Sequence, residues 1–367
     1  MNVAPVRRAI PGLPSIIYCI MLAAGLFCLP QAQGQEDPPQ AGDAKPEKLF
    51  SSEETLTISL KAPWRDISRK EEVQDPYPAT LVYTDDQGQT HNLPLTVERR
   101  GITRQRVCRF PPIKLRFDKE VVKNTLFRGQ KSIKLVTHCD KGDRWEQYYI
   151  KEMLAYQIYN LITPRSFKVR PLAVTYIDSS NDSAEDPRFA FLIEDDSDVA
   201  KRNDLLTIDL KKTTPERLEP QNLSHFMLFE FMLGNVDWSV LSGPGNENCC
   251  HNAKLFGLDP AGERFVIPYD FDSSGLVDAP YAAPNESLPT QEVTQRLYRG
   301  FCVHNPELEA ARQAFIDHEQ EIYALIKSES RLNARNVKTA TRYLEDFFKL
   351  IKDPKRVSRD IIGRCRK

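Results

Sequence analysis

The sequence predicts an α+β chain with two lobes, the first mostly strand and the second mostly helix. Two observations lead to this fold class. Apolar and polar residues alternate through most of residues 51–194, which is the period of half-buried strands. The segments 305–329 and 333–352 carry charge on one side and apolar residues on the other, as amphipathic helices do. We therefore expect an N-terminal lobe over 51–194 and a C-terminal lobe over 195–367.

Seven runs of the first lobe have the strand pattern, and one helix is inserted among them. The predicted strands cover 56–60, 79–84, 92–99, 113–117, 131–136, 169–178 and 188–194. The inserted helix covers 145–162. In the second lobe, 219–233 reads as a buried helix, and 253–257 pairs with 264–270 as a short hairpin around LDPAGE. A hairpin brings its two outer ends together, so the residues at those ends are expected to be neighbours.

The first 34 residues have the three parts of a secretory signal. Two arginines precede an apolar stretch from Ile16 to Leu29, and small residues follow, so we expect cleavage after Gly34. An uncleaved membrane anchor is the alternative, but the apolar stretch is short for a span. Residues 35–50 are polar and rich in proline, and predict a disordered mature N-terminus without a core. The chain is therefore expected to be exported, periplasmic or extracellular, with no stable membrane anchor.

The charge balance excludes one class of partner. The chain has 50 basic and 51 acidic residues, and its formal net charge is −1 at pH 7. A chain this close to neutral has no general attraction to nucleic acid or to an anionic membrane surface. We therefore expect no nucleic-acid partner.

The cysteines that follow the predicted signal are even in number, which favours disulfides over free thiols in an exported chain. If the fourth and fifth predicted strands pair with Phe117 opposite Lys131, Cys108 and Cys139 fall within one residue of the same register. This predicts a Cys108–Cys139 bridge at the open end of that hairpin. Of the remaining four, we expect Cys249 and Cys250 each to form a disulfide with one of Cys302 and Cys365. Which pairs with which is left open.

A carboxylate in the inserted helix needs a cation. Glu152 lies within a stripe of aromatic residues at helical spacing, where an unpaired carboxylate is costly. In the strand 113–117, Lys114 and Arg116 face away from the apolar residues. A Lys114–Glu152 pair would be the lysine–glutamate pair with which kinases hold phosphates. A surface lysine and a helix-edge glutamate are the alternative, and Arg116 takes the role if the register slips by two.

An acid, an amide and two further acids follow one another in the second lobe. Asp237 comes after a helix, in a turn begun by glycine and asparagine. Asn252 begins one strand of the short hairpin, and Asp270 ends the other, with Asp272 just beyond. Hard oxygen ligands of this kind suit magnesium, and Asp237 could accept a hydroxyl proton nearby. Each residue taken alone also has a common structural role as a cap or turn residue.

These residues carry a resemblance to a known family. GNVDW, followed by HN and then IPYDFD, resembles the spore coat protein H-like (CotH) kinase family, in which comparable aspartate, asparagine and aspartate residues occur in that order. The same stretch is similar to the GN-x-D-x-H-x-x-N pattern of HipA-type kinases. Upstream, RRGITRQRVCRFPPIKLRF resembles the family's arginine–glycine turn and basic strand. The segment between Asp237 and Asn252 is longer than the family's compact turn.

The resemblance implies a bilobal protein-kinase-like fold, with an N-terminal antiparallel sheet lobe and a mainly helical C-terminal lobe. It implies an enzyme that transfers the γ-phosphoryl group of ATP, with Mg²⁺, to Ser or Thr of a protein acceptor. The residues that it assigns are Asp237 as the catalytic base, Lys114, Glu152, Arg100 and Gly101 for the nucleotide, and Asn252, Asp270 and Asp272 for the metal. A catalytically lapsed pseudokinase or binding scaffold of the cell envelope is the alternative, and a metal-dependent hydrolase would use the same acids.

Overall fold

Alternating apolar and polar residues give the first half of the chain a barrel with an apolar inside. The computed structural model describes residues 46–69, 76–101 and 103–367. The predicted signal at 1–34 and residues 35–45 of the predicted tail lie outside the described residues. Residues 46–50 do not fit the tail prediction, because Leu49 and Phe50 are buried with the barrel interior.

The strands agree closely with the predicted runs. They are β1 Leu56–Ala62, β2 Tyr77–Thr84, β3 Thr90–Arg99, β4 Ile113–Phe117, β5 Ser132–Val136, β6 Val169–Asp178, β7 Arg188–Ile193, β8 Leu206–Thr207, β9 Ala253–Gly257 and β10 Phe265–Pro268. The two-residue β8 was not predicted, since a run this short has no detectable period. It pairs with β9, so that β10, β9 and β8 form a small second sheet.

The helices include several short ones that the sequence pattern did not predict. They are α1 Trp64–Ile67, α2 Thr103–Val107, α3 Lys119–Val122, α4 Asp143–Ile162, α5 Asp196–Arg202, α6 Pro220–Leu233, α7 Leu308–Asp317, α8 Glu319–Ser328, α9 Ala334–Ile351 and α10 Pro354–Asp360. The single helix predicted over 305–329 is two helices that meet at His318, after a 3₁₀ turn over Cys302–Glu307. None of the helices in the described part of the chain combines the length and apolarity needed to span a membrane.

The prediction of a bilobal protein-kinase-like fold is wrong, because the first sheet closes on itself. Its seven strands form a closed barrel in the order β1-β2-β3-β4-β5-β7-β6. Closure comes from β1, which pairs in parallel with β6 from Leu56 opposite Leu172 to Ala62 opposite Asp178. The barrel is therefore mixed and has no open edge, whereas the predicted lobe was an antiparallel sheet of the protein-kinase kind. The fold class remains α+β.

The hairpin of β4 and β5 shows why the strands were predictable. Ile113 and Leu115 are fully buried inside the barrel, and Lys114 between them faces outward. Ile113 lies opposite Leu135, which is the predicted register. The Cys108–Cys139 disulfide at the open end of this hairpin is confirmed, with 4.6 Å between the two Cα atoms.

The prediction for the other four cysteines is wrong. Cys249 is bonded to its neighbour Cys250, and Cys302 is bonded to Cys365. The second pairing follows from the path of the C-terminus, which runs beside residue 301. The backbone N–H of Cys302 donates to the carbonyl of Arg366 at 2.8 Å, and this brings the two half-cystines together.

The helix α4 connects the barrel to the rest of the chain. All of its residues from Tyr149 to Tyr159 are buried, and most of them are apolar or aromatic. It packs on the outer faces of β6 and β7 and against α6 and α8, in a second apolar cluster that includes most of the C-terminal helices.

Candidate functional site

The open end of the β9–β10 hairpin brings Asn252 and Asp270 to one place. Ala253 lies opposite Pro268, and the backbone N–H of Tyr269 donates to the carbonyl of Asn252 at 3.1 Å. Asn252 and Asp270 both have left-handed backbone conformations, with φ of 48° and 64°. A residue other than glycine adopts this conformation at a cost, and such residues concentrate at functional sites.

Asp237 is oriented by two neighbouring side chains. His251 Nε2 lies 2.9 Å from Asp237 Oδ1, and Asn252 Nδ2 donates to Asp237 Oδ2 at 3.2 Å and to its backbone carbonyl at 2.7 Å. The backbone N–H of Asp237 donates to Asn235 Oδ1 at 3.0 Å. The hydrogen bond to Asp237 raises the pKa of His251. Asp237 is thus held in one orientation while about half of its side chain stays exposed.

The turn that carries Asp237 begins where α6 ends. Gly234 has a left-handed conformation, with φ of 65°, and its N–H donates to the carbonyl of Phe231. A side chain at this position would collide with the hydroxyl of Tyr343, so the turn requires glycine for space as well as for conformation. This explains the glycine and asparagine that precede Asp237 in the sequence.

The carboxylate of Asp270 has neither a hydrogen bond nor an ion pair with any described residue. Its backbone N–H donates to the hydroxyl of Tyr156 at 3.0 Å. Burial, and secondly the nearby Asp272, raise the pKa of Asp270 to about 6, although Arg104 and Arg100 oppose the change. A carboxylate in this situation is poised to bind a cation, because burial and a like charge both disfavour its free ionised form.

Asp272 is engaged by an arginine that the sequence analysis missed. Arg104, on α2, donates from Nε to Asp272 Oδ2 at 2.8 Å and from Nη2 to Glu152 Oε2. The hydroxyl of Tyr281 also donates to Asp272, at 3.2 Å. Asp272 is therefore poorly placed for the predicted role as a metal ligand. The signal for Arg104 was the basic run RRGITRQR, but α2 was not predicted, so its direction was unknown.

The predicted Lys114–Glu152 pair is wrong, because Glu152 is paired with Arg104. Burial raises the pKa of Glu152 to about 7, and Arg104 limits that rise. Lys114 lies directly opposite Lys134 across β4 and β5. Burial lowers the pKa of Lys114, and Arg116 and Lys134 lower it further. Glu98 lies opposite Lys114 on β3, and Asp196 contacts Lys134, so each of these lysines has a carboxylate close by.

Lys134 connects this basic face to the site. Its Nζ lies 2.9 Å from Asp196 Oδ1 and 4.7 Å from the ring centroid of Tyr269, the residue before Asp270. Lys254 on β9 reaches the other oxygen of Asp196 at 3.4 Å. The sequence pattern gives no signal for these lysines, because each occurs in an ordinary alternating strand and no local motif distinguishes it.

Arg100 and Gly101 lie at the same site, close to Tyr269. Arg100 Nη1 donates to the hydroxyl of Tyr269 at 2.9 Å, and its buried Nε has no hydrogen-bond partner among the described residues. The N–H of Arg100 donates to the carbonyl of Pro112, and Gly101 has φ of 79°. The guanidinium therefore retains donor capacity, which suits recognition of phosphate or carboxylate.

A cavity of about 400 Å³ joins most of the predicted residues. Those that line it are Arg100, Gly101, Asp237, Asn252, Asp270 and Asp272. Two predicted nucleotide-binding residues, Lys114 and Glu152, are outside its lining. The cavity wall also includes Arg104, His251 and Lys254, so both acidic and basic groups line it.

The metal ligands fit a hard cation only in part. Among the residues that the structure describes, no group of three or more His, Cys, Asp or Glu side chains is arranged to hold a metal ion. The Asp270 carboxylate and the Asn252 side-chain oxygen have no hydrogen-bond partner in that part of the chain, and oxygen donors of this kind suit magnesium. A cation here would be held by these two residues and by oxygens of its ligand.

Comparison with known proteins leaves the site to be judged on its geometry. No protein-family model matches the chain, and no curated protein matches it.

Proposed function

We propose that this cavity binds a magnesium nucleotide and that the protein transfers the terminal phosphoryl group to a hydroxyl of a protein acceptor. One observation carries the proposal: two aspartates in one cavity have different environments. Asp237 is fixed by His251 and Asn252, whereas the Asp270 carboxylate has no partner in the described chain. Phosphoryl transfer needs this division, with one carboxylate to receive a proton and another to hold the cation.

Asp237 would act on the acceptor. A hydroxyl that enters the cavity can donate its proton to the exposed oxygen of Asp237, which is oriented for this by His251 and Asn252. The imidazole has its Nε2 on the carboxylate, so it fixes the carboxylate in place. Orientation of this kind is the main contribution of a protein to phosphoryl transfer, because there is little covalent chemistry for it to perform.

Basic residues would bind the phosphates. Arg100 has an unpartnered Nε and lies at the cavity wall. Lys254 also lines the cavity, and its Nζ lies 3.4 Å from Asp196. Lys114 and Lys134 are outside the lining, so they contribute charge only from a distance. Magnesium, held by Asp270 and Asn252, would neutralise phosphate charge. This differs from the lysine–glutamate arrangement expected from the resemblance, since the glutamate is already neutralised by Arg104.

A second candidate is a scaffold that binds a nucleotide or another anion without transferring a group. The observation in its favour is the engagement of Asp272, which accepts from Arg104 and Tyr281 and so is withdrawn from metal binding. Transfer to a protein outside the cytoplasm, as the N-terminal sequence suggests, would also require a supply of nucleotide there. Both candidates use the same cavity, and they differ in whether a phosphoryl group is transferred after the nucleotide binds.

The test separates binding from transfer. We expect purified residues 35–367 to show a magnesium-dependent thermal shift with millimolar ATP, and to phosphorylate themselves or a serine-rich acceptor. Asp237→Asn should keep the shift and lose transfer by a factor on the order of 10² or more, because only proton acceptance is removed. Asp270→Ala should lose both. Asp346→Asn, at an exposed position of α9, is the matched control and should change neither.

The outcomes rank the candidates. A shift without transfer in the wild-type chain would favour the scaffold. Absence of any magnesium-dependent shift, with the disulfides intact, would refute nucleotide binding and with it both candidates in their nucleotide form.

A further inference from the structure

The turn that carries Asp237 belongs to no helix or strand. Residues 235–238 directly follow the glycine that ends α6, and none of them has regular secondary structure. Backbone of this kind has no hydrogen-bond ladder of its own, so other groups must fix its peptide planes. The carbonyl of Asp237 accepts from Asn252 Nδ2 at 2.7 Å. The carbonyls on either side of it belong to Val236 and Trp238, and they need donors as well.

One arginine binds both of these carbonyls. Arg299 donates from Nη1 to the carbonyl of Val236 at 2.6 Å and to that of Trp238 at 2.9 Å. Its guanidinium also lies over the ring of Trp238, with 4.5 Å between Cζ and the ring centroid. Trp238 is itself fixed, because its Nε1 donates to the carbonyl of Asn235 at 3.0 Å. The two carbonyls that flank Asp237 are therefore held by a single cation.

These two hydrogen bonds constrain the position of the Asp237 side chain. A bond to one carbonyl limits the tilt of one peptide plane, whereas two carbonyls on the same nitrogen also fix how residues 236 and 238 lie relative to each other. The N–H of Asp237 shares a peptide plane with the carbonyl of Val236, and it donates to Asn235 Oδ1 at 3.0 Å. Movement of the turn would carry the carboxylate with it. A misplacement of about 1 Å can cost on the order of 10² in rate.

The C-terminal residues hold Arg299 in turn. Arg366 donates from Nε to the carbonyl of Arg299 at 2.8 Å, and its backbone N–H donates to the carbonyl of Gly300 at 2.7 Å. The disulfide between Cys302 and Cys365 ties the same two segments together. Arg299 lies in a stretch without helix or strand, so these contacts provide the support that regular structure would otherwise give.

We propose that Arg299 is a positioning residue for Asp237 in the phosphoryl transfer proposed above, and that Arg366 supports it. Arg299 is not among the residues that line the cavity, and it acts through the backbone on either side of Asp237. Arginine suits this role, because its planar guanidinium stays charged and loses little side-chain freedom for each hydrogen bond. Its effect on transfer rests on the proposed function, whereas its effect on the turn does not.

The first experiment measures the turn without any ligand, by amide hydrogen exchange on residues 35–367. Arg299→Met removes both hydrogen bonds and keeps an apolar stem of similar length. It should speed exchange of the Asp237 amide roughly tenfold or more, because the turn opens more often. Arg299→Lys can still reach one carbonyl and should speed exchange only roughly threefold. Arg366→Met removes the support alone and should also speed it roughly threefold.

Arg264→Met is the matched control. Arg264 also donates to backbone carbonyls, those of Gly262 and Pro260 among them, and its buried Nε, like that of Arg299, has no partner among the described residues. Its carbonyls belong to the turn between β9 and β10, at the closed end of that hairpin, whereas the site lies at the open end. The substitution should therefore leave the exchange of the Asp237 amide unchanged, and transfer as well.

The second experiment measures transfer in the same variants. Arg299→Met should lower kcat by a factor of roughly 10 to 100 and leave KM for magnesium ATP within roughly twofold, because other residues bind the nucleotide. Arg299→Lys should recover part of kcat. A residue that only stabilised the fold would leave kcat of the folded fraction unchanged. The thermal midpoint shows whether each variant is folded, and Arg299→Lys and Arg366→Met carry both measurements if Arg299→Met does not fold.

The outcomes separate this proposal from the proposed function. Unchanged exchange of the Asp237 amide in a folded Arg299→Met protein would overturn the proposal, whatever the transfer result. An equal loss of kcat in Arg264→Met would also overturn it, as would a rise in KM with kcat unchanged. A wild-type chain that transfers no phosphoryl group would refute the proposed function, and hydrogen exchange alone would then decide whether Arg299 fixes the turn.

Discussion

Two carboxylates of this protein, the fully buried Glu194 and the partly buried Asp270, have opposite surroundings. Glu194, at the end of β7, accepts from Arg202 Nε at 3.1 Å and Nη2 at 2.9 Å, and from the backbone N–H of Lys168 at 3.0 Å. The remaining donors of Arg202 reach two backbone carbonyls. Asp270 has a carboxylate without any hydrogen bond to the described residues, and burial together with Asp272 raises its pKa to about 6.

The difference separates charges that complete the fold from charges that await a ligand. A buried ion pair is tolerated only when each partner is fully hydrogen-bonded, as Glu194 and Arg202 are. The partly buried carboxylate of Asp270 has no such partner among the described residues, and its left-handed backbone adds a further cost. Arg104 belongs to the first kind although it lines the site cavity, because it is divided between Glu152 and Asp272. Proximity to a cavity therefore does not by itself make a charged residue functional.

The largest expected effect comes from removing Arg104. Arg104→Met should lower the free energy of unfolding by about 3–5 kcal/mol, because it leaves Glu152 and Asp272 buried without their cation. Urea denaturation measures it. Arg116→Met is the matched control, since Arg116 forms an exposed pair with Glu98 and should contribute less than about 1 kcal/mol. Equal effects of the two substitutions would show that Arg104 does not form the buried pairs.

A smaller effect is the coupling between pairs of substitutions. Arg104→Met and Glu152→Gln should be non-additive by about 2 kcal/mol, because either change already breaks their contact. Lys114→Met and Glu152→Gln should add within about 0.5 kcal/mol, since Lys114 lies against Lys134 instead. A thermodynamic double-mutant cycle in urea measures both. Strong coupling to Lys114 with none to Arg104 would restore the lysine–glutamate pair of the sequence prediction.

The smallest expected effect is on the pH dependence of stability, and it tests whether the carboxylate of Asp270 lacks a partner. The pKa of Asp270 is about 6 in the folded protein against 3.8 ordinarily, so folding favours the protonated form. The stability that this provides is complete below about pH 4 and is lost as pH rises to about 6. Asp270→Asn should therefore match the wild type near pH 4 and be more stable at pH 7.5. The full pKa shift corresponds to about 3 kcal/mol, but Asp270 is partly exposed and solvent screens its charge, so we expect roughly 1 kcal/mol.

Thermal unfolding without added metal or nucleotide, at several pH values, measures this difference. An Asp270→Asn protein less stable than the wild type at pH 7.5 would mean that the carboxylate has a stabilising partner after all. Asp346→Asn on the surface of α9 should show no such pH dependence.

The sequence by itself determined the local elements and one long-range bond. β4, β6 and β9 begin and end where the alternation predicts, because a strand with one buried face must repeat with period two. The same constraint fixes register, so the β4–β5 hairpin and the Cys108–Cys139 bond could be predicted together. The order of Asp237, Asn252 and Asp270 also placed three polar residues near one cavity, since a hairpin joins its two ends.

The tertiary structure alone decided how the sheet ends and which cation meets each acid. β1 and β6 close the barrel although more than a hundred residues separate them, and parallel pairing leaves no turn signal in the sequence. Glu152 is neutralised by Arg104 because α2 directs that side chain into the site, and the direction of a one-turn helix depends on packing around it. The period of the hydrophobic pattern predicts which side chains are buried. Which of several nearby cations pairs with an acid depends instead on three-dimensional distance, and no local sequence pattern contains that distance.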